Sequence, residues 1–135
     1  MFEAIKDRLA TLRGRSVEAD VPDERLALAA LLVHVAAIDG LMLDSEALRL
    51  ETLLADRFAL GRSAARQLIG RAQATDAEAG DFSGFVASLK RQLGAPERAR
   101  VVALMWEIAR ADGHVHEFEE VLIARVAELL EVATQ

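Results

Sequence analysis

A helical unit that occurs twice is the feature of this chain that most restricts its fold. A shift of 73 residues places ERLALAALLVHVAAIDG (24–40) over ERARVVALMWEIARADG (97–113). In both copies a helix-forming stretch ends at Asp-Gly, and a glutamate follows six residues after the glycine. Self-similarity at a fixed spacing predicts that the copies fold alike. We therefore expect the acidic turn to have a physical role that both copies can perform.

The composition favours helices throughout the chain. Alanine, leucine, arginine and glutamate dominate, whereas runs of β-branched or aromatic residues are scarce. A chain of 135 residues fits a single domain, here 1–135, with halves at about 20–60 and 94–132. We predict an all-α fold in which the halves are similar hairpins related by an approximate two-fold axis. The periodicity and stop signals indicate about seven helices, at 2–13, 22–38, 44–59, 62–76, 81–93, 96–111 and 117–132.

Residues that commonly cap helices predict where the middle helices begin and end. Gly61 and Gly94 are expected to supply a left-handed residue at a helix C-terminus. Ser63 and Asp81 are expected to cap helix N-termini. The polar stretch TDAEAGD (75–81) is predicted to form the hinge between the two halves.

Charge and composition exclude several classes of protein. A formal net charge of -6 argues against nucleic acid as a partner, because binding phosphates needs a clustered basic face. No stretch approaches the roughly 20 uncharged apolar residues that cross a bilayer, so no transmembrane segment is expected. The charged N-terminus does not resemble a secretory signal. Cysteine is absent, which rules out thiolate metal sites. We expect a cytoplasmic protein.

The N-terminal segment 2–13 carries apolar residues at helical spacing. They are Phe2, Ile5, Leu9 and Leu12, which share one stripe. Glu3 and Asp7 balance the basic residues of the segment, so a membrane-surface helix is the weaker alternative. The pattern favours a helix that packs on the domain or docks to a partner.

The acidic turns have both a structural and a functional interpretation. A carboxylate where a helix ends meets the negative end of the helix dipole, so Asp112 needs backbone donors or a cation nearby. Glu46 and Glu119 fall in the first turn of the next helix, where a negative charge is favourable. A capping box would need Ser, Thr or Asp three residues earlier, whereas Leu43 and His116 stand there. A purely structural role for the glutamates is therefore weakened, and cation binding stays open.

These features resemble the tellurite-resistance protein B-like (TerB-like) family. The features are the paired A-x-x-D-G-x5-E hairpins, the D-F-x-x-F at 81–85 between them, and the second-half run that begins at 97. The resemblance extends from about residue 20 to residue 132. It implies a seven-helix fold with an internal pseudo-repeat, no established catalytic activity, and divalent-cation binding through repeated acidic residues. Those residues would be Asp39, Glu46, Asp112 and Glu119.

Calcium or magnesium is the favoured ion, because carboxylates and turn carbonyls are hard ligands. A single EF-hand loop does not fit: counted from Asp112, Glu117 stands where glycine is needed and Ile123 where a bidentate glutamate is needed. The site must therefore combine several elements, with Asp44, His116 and Glu117 as additional candidate ligands. Leu41 and Leu43 replace turn positions that are often polar in the family, so we expect the first turn to respond more weakly to a metal.

Other chemistries have less support in the sequence. Zinc could use His114, His116, Glu119 and Glu120, but the first copy has no equivalent histidine. His34 is interpreted as a hydrogen-bonded, semi-buried histidine, and Trp106 and the phenylalanines as core. No glycine-rich phosphate loop or nucleophile elbow is present, so we expect neither an enzyme nor an organic cofactor. The alternative function is a protein–protein interaction module whose acidic turns are only structural caps.

Overall fold

The computed structural model describes residues 23–38, 42, 44–111, 113 and 115–133. Within these residues the chain forms helices and no strand, which confirms the all-α prediction. The six described helices are α1 (Glu24–Ala36), α2 (Asp44–Phe58), α3 (Arg62–Ala79), α4 (Ser83–Gln92), α5 (Ala95–Ala109) and α6 (Glu117–Leu129). They correspond to six of the predicted seven, and the predicted helix at 2–13 lies outside the described residues.

Helix α1 lies at the centre of the fold and packs against each of the other described helices. The run 27–33 is buried without interruption, as expected for a helix that is apolar on all sides. Its N-terminus is capped by Asp23, whose Oδ1 accepts a hydrogen bond from the backbone N–H of Leu26 at 2.8 Å. Although α1 is apolar, none of the helices in the described part of the chain is long and apolar enough to cross a membrane.

The second copy completes the core with one face of each of its helices. From α5 and α6 the large buried side chains are Val101, Val102, Leu104, Met105, Ile108, Leu122, Ile123 and Val126. The pairs that the repeat makes equivalent have like environments: Leu31 and Leu104 are buried, and so are Ala36 and Ala109. The burial therefore agrees with the predicted register, while the two-fold relation between the halves stays a prediction.

An arginine links the two helices of each hairpin at their far ends. In the first hairpin Arg57, near the end of α2, donates from Nη2 to Glu24 Oε2 at 2.8 Å. In the second, Arg98, near the start of α5, donates from Nη1 to the backbone carbonyl of Leu130 at 3.0 Å. These contacts hold the ends opposite the acidic turns together, so each hairpin is fixed at both ends.

The predicted roles of Gly61 and Gly94 are wrong. Both residues are N-caps in extended conformation, with φ of -71° and -79°. Among the described residues other than glycine, the ones with positive φ are Ala59, at 54°, and Glu131, at 60°. After Ala59, the N–H of Leu60 bonds back to the Ala55 carbonyl at 2.9 Å, which satisfies an end group of α2. This closing bond offsets the strain of a side chain at positive φ.

The middle of the chain also differs from the prediction. Helix α3 continues to Ala79, so most of the predicted hinge at 75–81 is helical. Ser63 lies inside α3 and is not its cap. Asp81 does satisfy the start of α4, but from one residue before the N-cap: its Oδ1 accepts from the N–H of Ser83 at 2.9 Å and from its hydroxyl at 2.7 Å. Those two bonds lower the pKa of Asp81.

Candidate functional site

The two glutamates of the acidic turns are both buried. Glu46 is 2% exposed and Glu119 is 1% exposed, although each lies in the first turn of its helix. Their acidic neighbours behave differently, since Asp44, Glu117 and Glu120 are exposed. Removing a carboxylate from water is costly unless hydrogen bonds or an opposite charge compensate it. Which groups stabilise these two buried carboxylates therefore decides whether the turns are structural or bind a cation.

Part of the compensation for Glu119 comes from the helix start itself. His116 is the N-cap of α6, and its backbone N–H donates to Glu119 Oε1 at 3.0 Å. The Glu119 N–H in turn donates to the His116 carbonyl at 3.0 Å. The sequence indicated that His116 is a poor residue for a capping box, and the structure shows that Glu119 nevertheless caps the helix start. The donor is a backbone group, which any residue except proline supplies.

Glu46 occupies the same place in the first copy. It is the third residue of α2, as Glu119 is the third residue of α6. Leu43, which would precede α2 as His116 precedes α6, lies outside the described residues. Two helices with different neighbours thus place a glutamate inward at the same position. The unit itself, rather than its surroundings, is the simplest cause of this orientation.

The remaining predicted ligands divide into two groups. Asp39, Asp112 and His114 lie outside the described residues, while Gly113 has a positive φ of 102°. His116 is partly exposed at the N-cap. Among the residues whose positions are described, no three His, Asp or Glu side chains come together as a metal-binding group. A metal site at the turns would therefore need Asp39 and Asp112 as ligands, and it stays a prediction.

His34 has the predicted environment. Its side chain is partly buried, and its Nδ1 lies 2.9 Å from Asp76 Oδ1 on α3. The His34 ring also contacts Phe82, with centroids 5.5 Å apart. The sequence could not identify Asp76 as the partner, because it lies 42 residues further along the chain. The contact with Asp76 satisfies the His34 ring, so the presence of histidine in the apolar helix α1 does not require a metal.

The interpretation of the aromatic residues as core is wrong for Phe118. Phe85 is buried, and Phe58, Phe82 and Trp106 pack against the core while partly buried. Phe118, however, is 68% exposed at the start of α6. It lines an apolar groove with Ile38, Phe82, Val121 and Leu122, and Glu117 and Arg125 form part of the rim. Sequence reasoning missed this groove, although Phe118 and Val121 stand three residues apart within an acidic stretch.

A family model described as "Tellurite resistance protein TerB" matches residues 25–135. The chain belongs to the TerB family. The match covers both acidic turns and nearly all of the described fold, and it leaves out the N-terminal segment. Searches of curated proteins and of solved structures found no match. Membership of the TerB family confirms the resemblance noted in the sequence, and it names no ligand for the acidic turns.

Proposed function

We propose that this TerB-family domain binds a divalent cation at its acidic turns, through Asp39 and Glu46 in the first and Asp112 and Glu119 in the second. The observation that carries the proposal is the recurrence of a buried glutamate at the third residue after each turn. A cation would offset the cost of burying that charge, and carboxylate oxygens suit calcium or magnesium best.

The capping contact of Glu119 is compatible with a ligand role. A carboxylate has two oxygens and about four lone-pair positions, and the His116 N–H uses one of them. A hydrogen bond to one oxygen also fixes the orientation of the other, as outer contacts do for metal ligands in general. Asp44 and Glu117 are exposed beside the turns and could complete the coordination directly or through water. Zinc, with His116 as a ligand, is the less favoured ion.

Charge-neutralising variants separate a ligand role from a capping role. Asp112→Asn and Glu119→Gln keep an acceptor oxygen and remove the charge that a metal needs. We expect calorimetry on chelator-treated wild-type protein to detect binding of calcium or magnesium, with a melting temperature that rises with ion concentration. Both variants should lose most of that rise. Glu120→Gln, at an exposed neighbouring position, is the matched control and should respond like the wild type.

The first turn gives an internal comparison. Asp39→Asn and Glu46→Gln should have the smaller effect on ion response, because Leu41 and Leu43 leave fewer polar groups around that turn. Melting temperatures with and without each of calcium, magnesium, manganese and zinc test this order. Wild-type ion dependence in all four variants would mean that these residues are structural and that the assignment of ligands is wrong.

A protein–protein interaction module is the second candidate function. The exposed Phe118 and Val121 favour it, since large apolar side chains grouped on a surface often mark a binding site. If no ion produces heat or a shift in melting temperature, this candidate replaces the first. A pull-down from native cytoplasm would then identify the partner.

The wider role is also part of the proposal. We place the domain in the cytoplasm, without catalytic activity or an organic cofactor, in a response to stress or to tellurite. The family's link with tellurite resistance supports the last point. Growth on tellurite with and without the protein tests it, and equal tolerance would remove tellurite from the proposal. Nucleic acid is not expected to bind, given the net charge of -6.

A further inference from the structure

The outer face of α6 carries an apolar strip that the described residues leave uncovered. Phe118 and Val121 are 68% and 64% exposed, and Ala124 continues the strip at helical spacing. Beyond the groove at Phe118, a second depression lies between Val121, Ala124, Val132 and Ala133, and the ion pair of Arg125 and Glu128 lines its side. A continuous apolar surface of this kind marks a site where another segment or molecule binds. The strip is defined below as the α6 strip, from Phe118 to Ala124.

We propose that the N-terminal segment 2–13 of the same chain covers the α6 strip as an amphipathic helix. Its apolar residues run from Phe2 to Leu12, which in a helix spans about 15 Å. The apolar residues of the α6 strip span about 9 Å along that helix, and the second depression extends the surface toward Val132 and Ala133. The segment is therefore long enough to cover the strip, and docking would bury Phe118 and Val121 against Ile5 and Leu9.

The connecting residues are long enough for this arrangement. Residues 14–22 join the segment to Asp23, and nine extended residues span at most about 30 Å. The groove contains Ile38, just beyond the far end of α1, which is about 20 Å from Asp23. The segment can thus reach the groove without any change in the helices.

Charge favours this occupant over two others. The segment carries Lys6, Arg8 and Arg13 against Glu3 and Asp7. The rim of the α6 strip is acidic, with Glu117, Glu120 and Glu128 exposed, and Arg125 already pairs with Glu128 at 2.8 Å. A second copy of the chain, docked strip to strip, would bring like charges together. An anionic membrane would be repelled by the same rim.

Disulfide trapping tests the proposal, because the natural chain has no cysteine. Val121→Cys is combined with Ile5→Cys or with Leu9→Cys, so that either direction of docking brings one pair together. Leu48→Cys replaces Val121→Cys in the control, since Leu48 is 61% exposed at the equivalent position of the first copy. We expect oxidation to link one Val121 pair at least roughly tenfold faster than its control, as the geometry of a disulfide is restrictive.

The dependence on protein concentration identifies the occupant. A link within one chain forms at a rate that does not change on dilution, whereas a link between two copies slows in proportion. Equal rates for the Val121 and Leu48 pairs would overturn the proposal. A fast link that appears only as a covalent dimer would also overturn it and assign the strip to a second copy.

Proteolysis gives a second measurement without cysteines. Trypsin cuts after Lys6, Arg8 and Arg13, and docking should slow these cuts because the cleaved backbone must first detach. Phe118→Ser weakens the docking surface without touching the core, and we expect it to accelerate the cuts roughly several-fold. Leu48→Ser is the matched control and should leave the rate unchanged. Identical rates in both variants would contradict the proposal.

Discussion

The two copies of the helical unit differ in their surroundings. In the first, α1 packs against every other described helix and is buried on all sides. In the second, α5 buries only one face, and it packs chiefly on α1, α2 and α6. A repeated sequence therefore forms the same element twice, but its position in the fold decides how much of that element becomes core.

The burial of the turn glutamates, by contrast, is the same in both copies. Glu46 and Glu119 are buried to the same extent although their helices have different neighbours. By contrast, the equivalent positions 45 and 118 hold an exposed serine and an exposed phenylalanine. The burial of the glutamate is the same in both copies, so we attribute it to the helical unit itself. The α6 strip is present in one copy only, so we attribute it to the different residues of that copy.

The largest expected effect is on the core leucines. Leu31→Ala should cost about 3–5 kcal/mol of unfolding free energy, because a cavity in the central helix has packed neighbours on every side. Leu104→Ala, at the equivalent but peripheral position, should cost about 2–3 kcal/mol, since one side of the site can relax. Urea unfolding measures both. An equal or larger cost at Leu104 would mean that the copies contribute alike to the core.

The next effect concerns the buried glutamates. Glu119→Ala removes the acceptor of the His116 N–H and should cost about 1–2 kcal/mol without metal. Glu119→Gln keeps an acceptor and should cost less. Thermal unfolding in chelator compares these with Glu46→Ala and Glu46→Gln. The same order in both copies would support one shared role, whereas a neutral Glu46→Ala would show that only the second turn depends on its glutamate.

The arginines at the far ends of the hairpins should differ in their response to salt. Arg98→Ala leaves a helix-terminal carbonyl without its charged donor and should cost about 1–2 kcal/mol. Arg57→Ala removes a partly exposed ion pair and should cost about 0.5–1 kcal/mol. Unfolding in low salt and near 1 M salt separates them, because screening reduces only the second cost. Equal salt dependence would contradict the distinction.

The smallest expected effect is on the pH dependence of stability, through Glu131, which has no acidic counterpart in the first copy. Its pKa is lowered because Lys90 donates a hydrogen bond to its carboxylate at 2.9 Å. A folded-state pKa below the unfolded value stabilises the protein above the carboxyl's ordinary pKa, and this contribution is lost as the pH falls through the folded-state pKa.

In Lys90→Ala the pKa of Glu131 should rise toward its ordinary value, and the loss of stability on acidification should become slightly shallower. Carboxyl chemical shifts followed by NMR titration measure the pKa directly. Asp81, whose low pKa depends on Ser83, should be unchanged and serves as the control. An unaltered Glu131 titration would show that the contact with Lys90 does not persist in solution.

Much of the described fold was predictable because its causes are local. Helices α2, α3 and α6 begin at the predicted residues, since polar and apolar residues alternate there with a clear helical period. The helix ends were less predictable. Ala59 adopts a left-handed conformation that its side chain disfavours, and the hydrogen bond from the Leu60 N–H to the Ala55 carbonyl offsets that cost. Gly61, the residue with conformational freedom, did not need it.

The sequence named the candidate residues of the acidic turns, but it could not show their environment. The repeat singled out Glu46 and Glu119, because periodicity compares positions along the chain. It could not show that both are buried while Asp44, Glu117 and Glu120 stay exposed. The pairing of His34 with Asp76 was likewise hidden, since it joins α1 to a residue on α3. Contacts between distant segments leave no periodic signal in one sequence.

By itself the sequence determined the helical class, the order of the helices and the TerB family, because helix propensity, the spacing of apolar residues and the residues that start or stop helices act over a few positions at a time. The tertiary structure alone decided that α1 is the central helix, that the turn glutamates face inward and that Phe118 faces outward. Those outcomes depend on which helices pack against which. Packing follows from the shapes and apolar areas of all the segments together, and no single stretch of the chain contains that information.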